Sequence, residues 1–333
     1  MELRRIEESI FKVLMILSLV IVVGSLLAVI GIILWKGLPA LSIDMLTKTA
    51  QGGYYLGKGG GILNAIIGSL YLAVGGTVLA FLLSIGIAFY LQKEYSGGTR
   101  LSSMTRLSLD ILWGTPSIVY GAFGFTLLMY FHMRASLLAG IIILALLELP
   151  IMTRAMEEVI KTVPQELKEV SYSLGATRLE TTLRVVSKQA LPGLLTGVLI
   201  AFGRGIGDAA SILFTAGYTD RIPTSLFDAT ASLPLAIFFQ LGTPLPQVQQ
   251  KAYASAVILL LIILAISTPV IRPGRACFAT TFSVVSSLVA PSEYDTSLSS
   301  WGTVFMTSSI ARVIMGISSS ASMTIPPSSD VLK

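Results

Sequence analysis

Arg204 and Asp208 stand four residues apart in the run Gly203-Arg204-Gly205-Ile206-Gly207-Asp208, inside an otherwise apolar stretch. A charge in such a stretch costs on the order of 2.5 to 3.5 kcal/mol on insertion scales, so each needs a reason to be there. A guanidinium presents a planar fork of donors that matches two oxygens of a phosphate, which is the chemistry of holding a tetrahedral oxyanion. The interleaved glycines let another helix or a ligand come close to the backbone. The spacing puts Asp208 one turn along on the same helical face, where it neutralises Arg204 and competes with an anion for it. A structural ion pair holding two helices together would use the same two residues.

Other candidates are weaker. Ser117 and Tyr120 follow Pro116, and their hydroxyls can serve a substrate or bond backbone groups that the proline frees. Asp110 reads as a helix-start residue at an interface. Glu148, two residues before Pro150, faces a cavity or pairs with a basic group of a partner subunit, and His132 reads as interfacial. One His and one Cys, Cys277, leave no ligand set for a metal. No Gly-x-x-x-x-Gly-Lys-Ser/Thr run is present to cradle the phosphates of ATP, and no nucleophile and base pair stands out. The chain therefore reads as a non-enzyme that carries no cofactor of its own.

These residues must be positioned by elements that live in a bilayer. Of the 333 residues 53% are hydrophobic and only 12% charged, too few to clothe a water-facing surface. Spanning helices need about 20 apolar residues. Six such runs lie near Leu14 to Leu34, Ala65 to Leu91, Leu107 to Phe131, Ala135 to Met152, Leu191 to Ala216 and Ala252 to Ile271. The first exceeds the roughly 7 to 15 residues of a cleavable signal and reads as an uncleaved anchor. Leu233 to Gly242 is too short to cross and reads as an interfacial or cavity-capping helix.

Positive charge sets the orientation. Arg4, Arg5 and Lys12, then Lys93, Arg100 and Arg106, then six Lys or Arg from Arg154 to Lys188, then Arg272 and Arg275, all fall on one side. That side is the cytoplasm, and both ends of the membrane core lie there. The same rule explains the net charge of +5 without nucleic acid.

The segment from Glu157 to Pro192 is charged and rich in helix caps. Thr162-Val163-Pro164-Gln165 has the form of a capping box, predicting a helix from about Val163 to Leu174. Leu167, Val170 and Leu174 form its apolar stripe, with Glu166, Lys168 and Glu169 wet, and Gly175 supplies the left-handed stop. A second box, Thr177-Arg178-Leu179-Glu180, starts another helix, with Leu179, Leu183 and Val186 as its stripe, that runs into the fifth span. A helix, a tight turn and a helix present a knob to a partner's groove, although a merely solvated loop carries the same caps. The chain thus divides into an anchor and outer loop at residues 1–60, a transmembrane domain at residues 61–272 and a Ser/Thr-rich tail at residues 273–333. The tail reads as weakly structured or non-native.

Glu169-Val170-Ser171, three residues and then Gly175 resemble the Glu-Ala-Ala-x-x-x-Gly loop of binding-protein-dependent ABC importer permeases, with Val185 at that motif's later Ile-type position. Ser187-Lys188 stand where that family has Leu-Pro, and Leu191-Pro192 lie just beyond. Gly114-Thr115-Pro116-Ser117-Ile118-Val119-Tyr120-Gly121, the Arg204 segment and Leu213-Phe214-Thr215-Ala216-Gly217 narrow the resemblance to phosphate importer permeases of the PstA type, over about Gly60 to Ile271. The resemblance implies an all-α membrane protein of six spans with a cytoplasmic helix-turn-helix coupling loop at residues 155–190. It implies docking on a dimer of ATPase subunits, which bind the ATP and magnesium, beside a second homologous permease and an extracytoplasmic phosphate-binding protein. In that family an Arg and an acidic residue, typically Glu where Asp208 stands, occupy the fifth span. An importer of sulfate or molybdate is the neighbouring reading. An ion-driven carrier is more distant, since paired broken helices in inverted halves are not seen in the sequence.

Overall fold

The computed structural model describes residues 2–50, 60–92, 95 and 98–267. Among them there is no β-strand, only one isolated bridge between Ala50 and Gly60. The helices are α1 (Glu2–Gly37), α2 (Ile43–Thr47), α3 (Leu63–Tyr90), α4 (Arg100–Gly114), α5 (Ser117–Tyr130), α6 (Leu137–Lys161), α7 (Gln165–Ser173), α8 (Arg178–Gly207), α9 (Leu233–Leu241) and α10 (Pro246–Ser267). Five are long and apolar enough to cross a membrane, and the pair α4 and α5, bent by 101°, makes a sixth crossing if counted as one.

That bend corrects the expectation of a continuous third span. Pro116 has no N–H to give the Leu112 carbonyl, and Thr115 leaves the helix with extended backbone (φ −79°, ψ 128°). The orphaned carbonyl is satisfied twice, by the Thr115 N–H at 3.2 Å and by the Tyr120 hydroxyl at 2.8 Å. Conversely, α6 does not stop near Met152 but passes Pro150 and continues to Lys161, so Glu157 belongs to a helix and not to a loop. The fifth span stops at Gly207 instead of Ala216. Three glycines in its last turn weaken the helix by about 1 kcal/mol each, and Asp208 bonds locally instead of continuing it.

The core is the packing of α3, α6 and α8. Small residues let these helices approach closely, as interfaces without a hydrophobic drive require. A Cβ on Gly140 would come within 2.6 Å of Leu72, and one on Gly76 within 3.0 Å of Leu144. Ala80, Ala145, Met152, Met156, Ile160, Leu194 and Ala201 fill one cluster between them. α9 is tucked in more deeply than an interfacial helix: Leu233 and Leu235 are fully buried, and the Leu233 N–H donates to Ser69 Oγ of α3 at 2.6 Å. The turn at Thr224 to Asp228 is drawn together by the Asp228 carboxylate. Donation from Thr224 and Ser225 holds this carboxyl below its ordinary range.

α1 stands apart from the core. Its C-terminal end meets α10, where a Cβ on Gly37 would press on Val257 and the Tyr253 carbonyl at 2.6 Å, and Lys36 lies 5.0 Å from the Tyr253 ring centroid. Most of its apolar length, Val13 and Leu27 included, is uncovered by this chain. α10 begins at Pro246, earlier than expected, because proline at a helix start sacrifices no hydrogen bond. Its expected end at Ile271, the tail with Cys277 and most of the Gly-rich outer loop at 51–59 lie outside the described residues.

Candidate functional site

Three groups of side chains carry the chemistry. The first surrounds the end of α8. Arg204 is half-buried in its last turn, and among the described residues its guanidinium has no ion pair. The expected Arg204 and Asp208 pair does not form. Asp208 lies beyond the helix with extended backbone (φ −79°, ψ 128°), and its Oδ2 accepts from the Ser211 N–H at 2.8 Å. The i, i+4 geometry that would have joined them needs the helix to run one residue further than the glycines sustain.

α5 packs against the turn that follows. A Cβ on Gly121 would come within 2.7 Å of the Ala210 carbonyl and 2.9 Å of the Ser211 carbonyl, so only glycine allows this approach. Tyr120 is buried, its hydroxyl is committed to Leu112, and the Arg204 charge is close enough to act on it. Ser117, half-buried at the start of α5, shares a helical face with Gly121. Gly121 of α5 and Asp208 thus meet at one turn, residues 208–211, with Arg204 and Tyr120 nearby, while Ser117 lies one helical turn before Gly121.

Glu148 is the neighbour that sequence reasoning undervalued. It is fully buried on α6, and neither carboxylate oxygen has a hydrogen-bond partner of good geometry among the described residues. The carboxylate presses on Gly205, where any Cβ would collide with Oε1. The Thr77 hydroxyl of α3 and the Asp208 carboxylate are its polar and charged neighbours. An acidic residue inside an apolar run was the visible signal; its facing helix was not.

The second group is an ion network at the end of α6. Glu157 is wholly buried, and its carboxylate receives Arg106 at 3.0 Å, Arg154 at 3.0 Å and Lys161 at 3.2 Å. Arg154 also pairs with Asp110, which is therefore tied to α6 and is more than a helix-start residue. Arg106 reaches the Leu91 carbonyl at 2.8 Å, so the ends of α3, α4 and α6 are laced together. Surrounding cations repay the desolvation of the buried carboxylate, which a lone pair seldom does.

The third group is the segment after α6. The first expected capping box is absent: Thr162 instead closes α6, its hydroxyl donating to the Val159 carbonyl at 2.7 Å, and α7 starts at Gln165 after Pro164. At the other end Gly175 has φ +83°, its N–H donates to the Tyr172 carbonyl at 2.9 Å, and the Ala176 N–H donates to the Ser171 carbonyl at 3.2 Å. This is the paired-bond stop that a left-handed glycine permits. The Thr177 and Glu180 capping box forms in both directions.

The faces of this segment differ from the expected ones. Leu167, Val170 and Leu174 line up as a stripe but are 40%, 60% and 83% exposed, whereas Lys168, expected to be wet, is buried. Leu179 and Leu183 are exposed while Val186 is buried, because Thr181–Val186 winds as a π-helix and shifts the phase of the stripe. Glu169 is exposed, and Ser171 is bonded to Thr181 across the turn, hydroxyl to hydroxyl at 2.9 Å.

The family model for "Binding-protein-dependent transport system inner membrane component" matches residues 80–273, more than half of the chain. The chain belongs to this family. Among its relatives, the phosphate transport system permease protein PstA 1 of Mycobacterium tuberculosis is 33% identical over 267 residues, which is 79% of this chain and 87% of that protein. PstA of Haemophilus influenzae is 31% identical over 264 residues, 79% of this chain and 92% of that protein. PstA of Yersinia pestis is 34% identical over 232 residues, 70% and 78% of the two chains. A solved structure of the MetNI methionine ABC transporter in inward-facing conformations superposes with a TM-score of 0.51, covering 68% of this chain and 96% of that one at 16% identity. That likeness shows the shared fold. As a member of the binding-protein-dependent permease family the chain is a multi-pass membrane transport component.

Proposed function

We propose that this chain is the transmembrane permease subunit of an ATP-driven importer of inorganic phosphate, forming half of the translocation pathway. The identity to PstA proteins over most of their length carries the reading. Arg204 supports it, since a guanidinium without a carboxylate partner on the pathway-forming helix is available to a tetrahedral anion. Asp208, Ser117 and Tyr120 are the further pathway residues. Sulfate and molybdate have no observation in their favour.

The energy comes from a separate dimer of ATPase subunits, which bind ATP and magnesium. Coupling to it runs through the segment 155–190, with Leu167, Leu174, Glu169, Val170, Ser171 and Gly175 forming the docking knob. An exposed apolar stripe on a short helix closed by a glycine stop is what a partner's groove takes up. A single helix, Arg178–Gly207, runs from this knob to Arg204, which lies about 39 Å along it at 1.5 Å per residue. ATP binding that draws two such knobs together turns the pathway outward as the helices move. The second homologous permease completes the pathway, and a phosphate-binding protein delivers the anion from outside. Both ends of the membrane core face the cytoplasm, following the positive charge.

The test is uptake of radiolabelled phosphate and sulfate by cells in which Arg204→Gln replaces the native chain. Phosphate uptake should fall roughly 30-fold or more, the equivalent of about 2 kcal/mol for a lost charge-assisted contact. Unchanged phosphate uptake would remove Arg204 from the pathway, and a loss confined to sulfate would reassign the substrate.

A further inference from the structure

Glu148 and Arg204 are each left without the partner that the other could supply. The carboxylate is fully exposed to neither solvent nor cation: its residue has no accessible surface, and both oxygens lack a hydrogen-bond partner of good geometry among the described residues. Among the described residues the guanidinium has no carboxylate within ion-pair distance. A buried carboxyl without a partner either gives up its charge or finds a cation, so a state of the molecule that brings Arg204 to it would let it hold that charge.

The groups around Glu148 narrow its choices. α3 brings the Thr77 hydroxyl, itself buried and without a partner of good geometry. The turn after α8 brings Asp208, a like charge already bonded to the Ser211 N–H. α8 itself brings the bare backbone of Gly205, the residue next to Arg204, directly against the carboxylate. Positions 204 and 205 are about 100° apart around a helix. The last turn of α8, with glycines at 203, 205 and 207, resists rewinding less than any ordinary helical turn.

We propose that Glu148 is the displaceable counter-ion of Arg204, taking the guanidinium when the pathway is empty and yielding it to an incoming phosphate. Pairing would neutralise both charges in the absence of substrate. The anion would enter by exchanging for the carboxylate, and the returning carboxylate would help expel it. Asp208, the acidic residue that spacing first suggested for this task, is held in its own turn and leaves the task to Glu148. The proposal rests on Arg204 being an anion contact.

Equilibrium binding of radiolabelled inorganic phosphate to the purified, complete transport complex tests it. Glu148→Gln should tighten phosphate binding by roughly 5-fold to 150-fold, the usual range of coupling between two sites. It should also lower the maximal uptake rate, because release slows. Glu148→Asp, a shorter carboxylate that keeps its charge, should fall between the two in both measurements. Packing damage alone would not raise affinity. If Glu148→Gln does not accumulate in the membrane, Glu148→Asp carries the test by the same sign. Binding that is unchanged or weaker in the variant that accumulates overturns the proposal. Phosphate binding that survives Arg204→Gln fails the underlying assignment of Arg204 instead, so the two failures are distinguishable.

Discussion

At the scale of single residues, the bare backbone of Gly205 on α8 lies against the wholly buried carboxyl of Glu148 on α6. Arg204 stood out because a cation inside an apolar run is expensive, and the structure places it at the end of a long helix beside Tyr120. Its supposed partner Asp208 did not follow, because helical spacing predicts a shared face only while the helix lasts, and α8 ends at Gly207. Glu148 could be seen as a buried acid but not placed against Gly205, since contact between separate helices leaves no local spacing signal. The Glu148 and Gly205 contact yields a direct expectation. Gly205→Ala would drive a methyl group into the carboxylate and should destabilise the protein by about 1 to 3 kcal/mol, the cost of overpacking. Thermal unfolding in detergent measures this, and adding Glu148→Ala should recover most of the loss if the collision is the cause.

At the scale of elements, apolar length located the five long crossings and the bent pair α4 and α5, while breaks and ends were less legible. Pro116 interrupts the third span, whereas Pro150 is accommodated within α6. The difference is local: Thr115 turns to extended backbone before Pro116 and Tyr120 rescues the freed carbonyl, but α6 is clamped on both sides by α3 and α8. Gly175 and the second capping box were readable because they are short-range devices. The ion network was not, since Arg106 and Glu157 meet from helices far apart in sequence. Glu157 has no accessible surface and serves three cations. Glu157→Gln should therefore cost about 3 to 5 kcal/mol, as breaking a buried charge cluster does. The variant should lose detergent stability and membrane abundance, and stability equal to the native chain would show that the cations find other partners.

At the scale of the whole molecule, one uninterrupted helix joins a soluble-looking knob to a cation inside the membrane domain. The knob exposes Leu167, Val170, Leu174, Leu179 and Leu183, an arrangement that a lone chain in water would bury. Under the proposed function, a partner subunit would cover these side chains, which the glycine stop at Gly175 and the Thr177 and Glu180 capping box hold out. Gly175 is unsuited to carry a probe, since its φ of +83° strains any side chain, but Leu174 beside it has a negative φ of −83° and is 83% exposed. The decisive measurement is crosslinking from Leu174→Cys, in a chain whose one native cysteine is replaced by Cys277→Ser, within native membranes. A transporter driven through this knob should yield an adduct with an ATPase subunit, and its amount should change when ATP is added. Efficient labelling of Leu174→Cys with no ATPase captured, with or without ATP, would contradict the account.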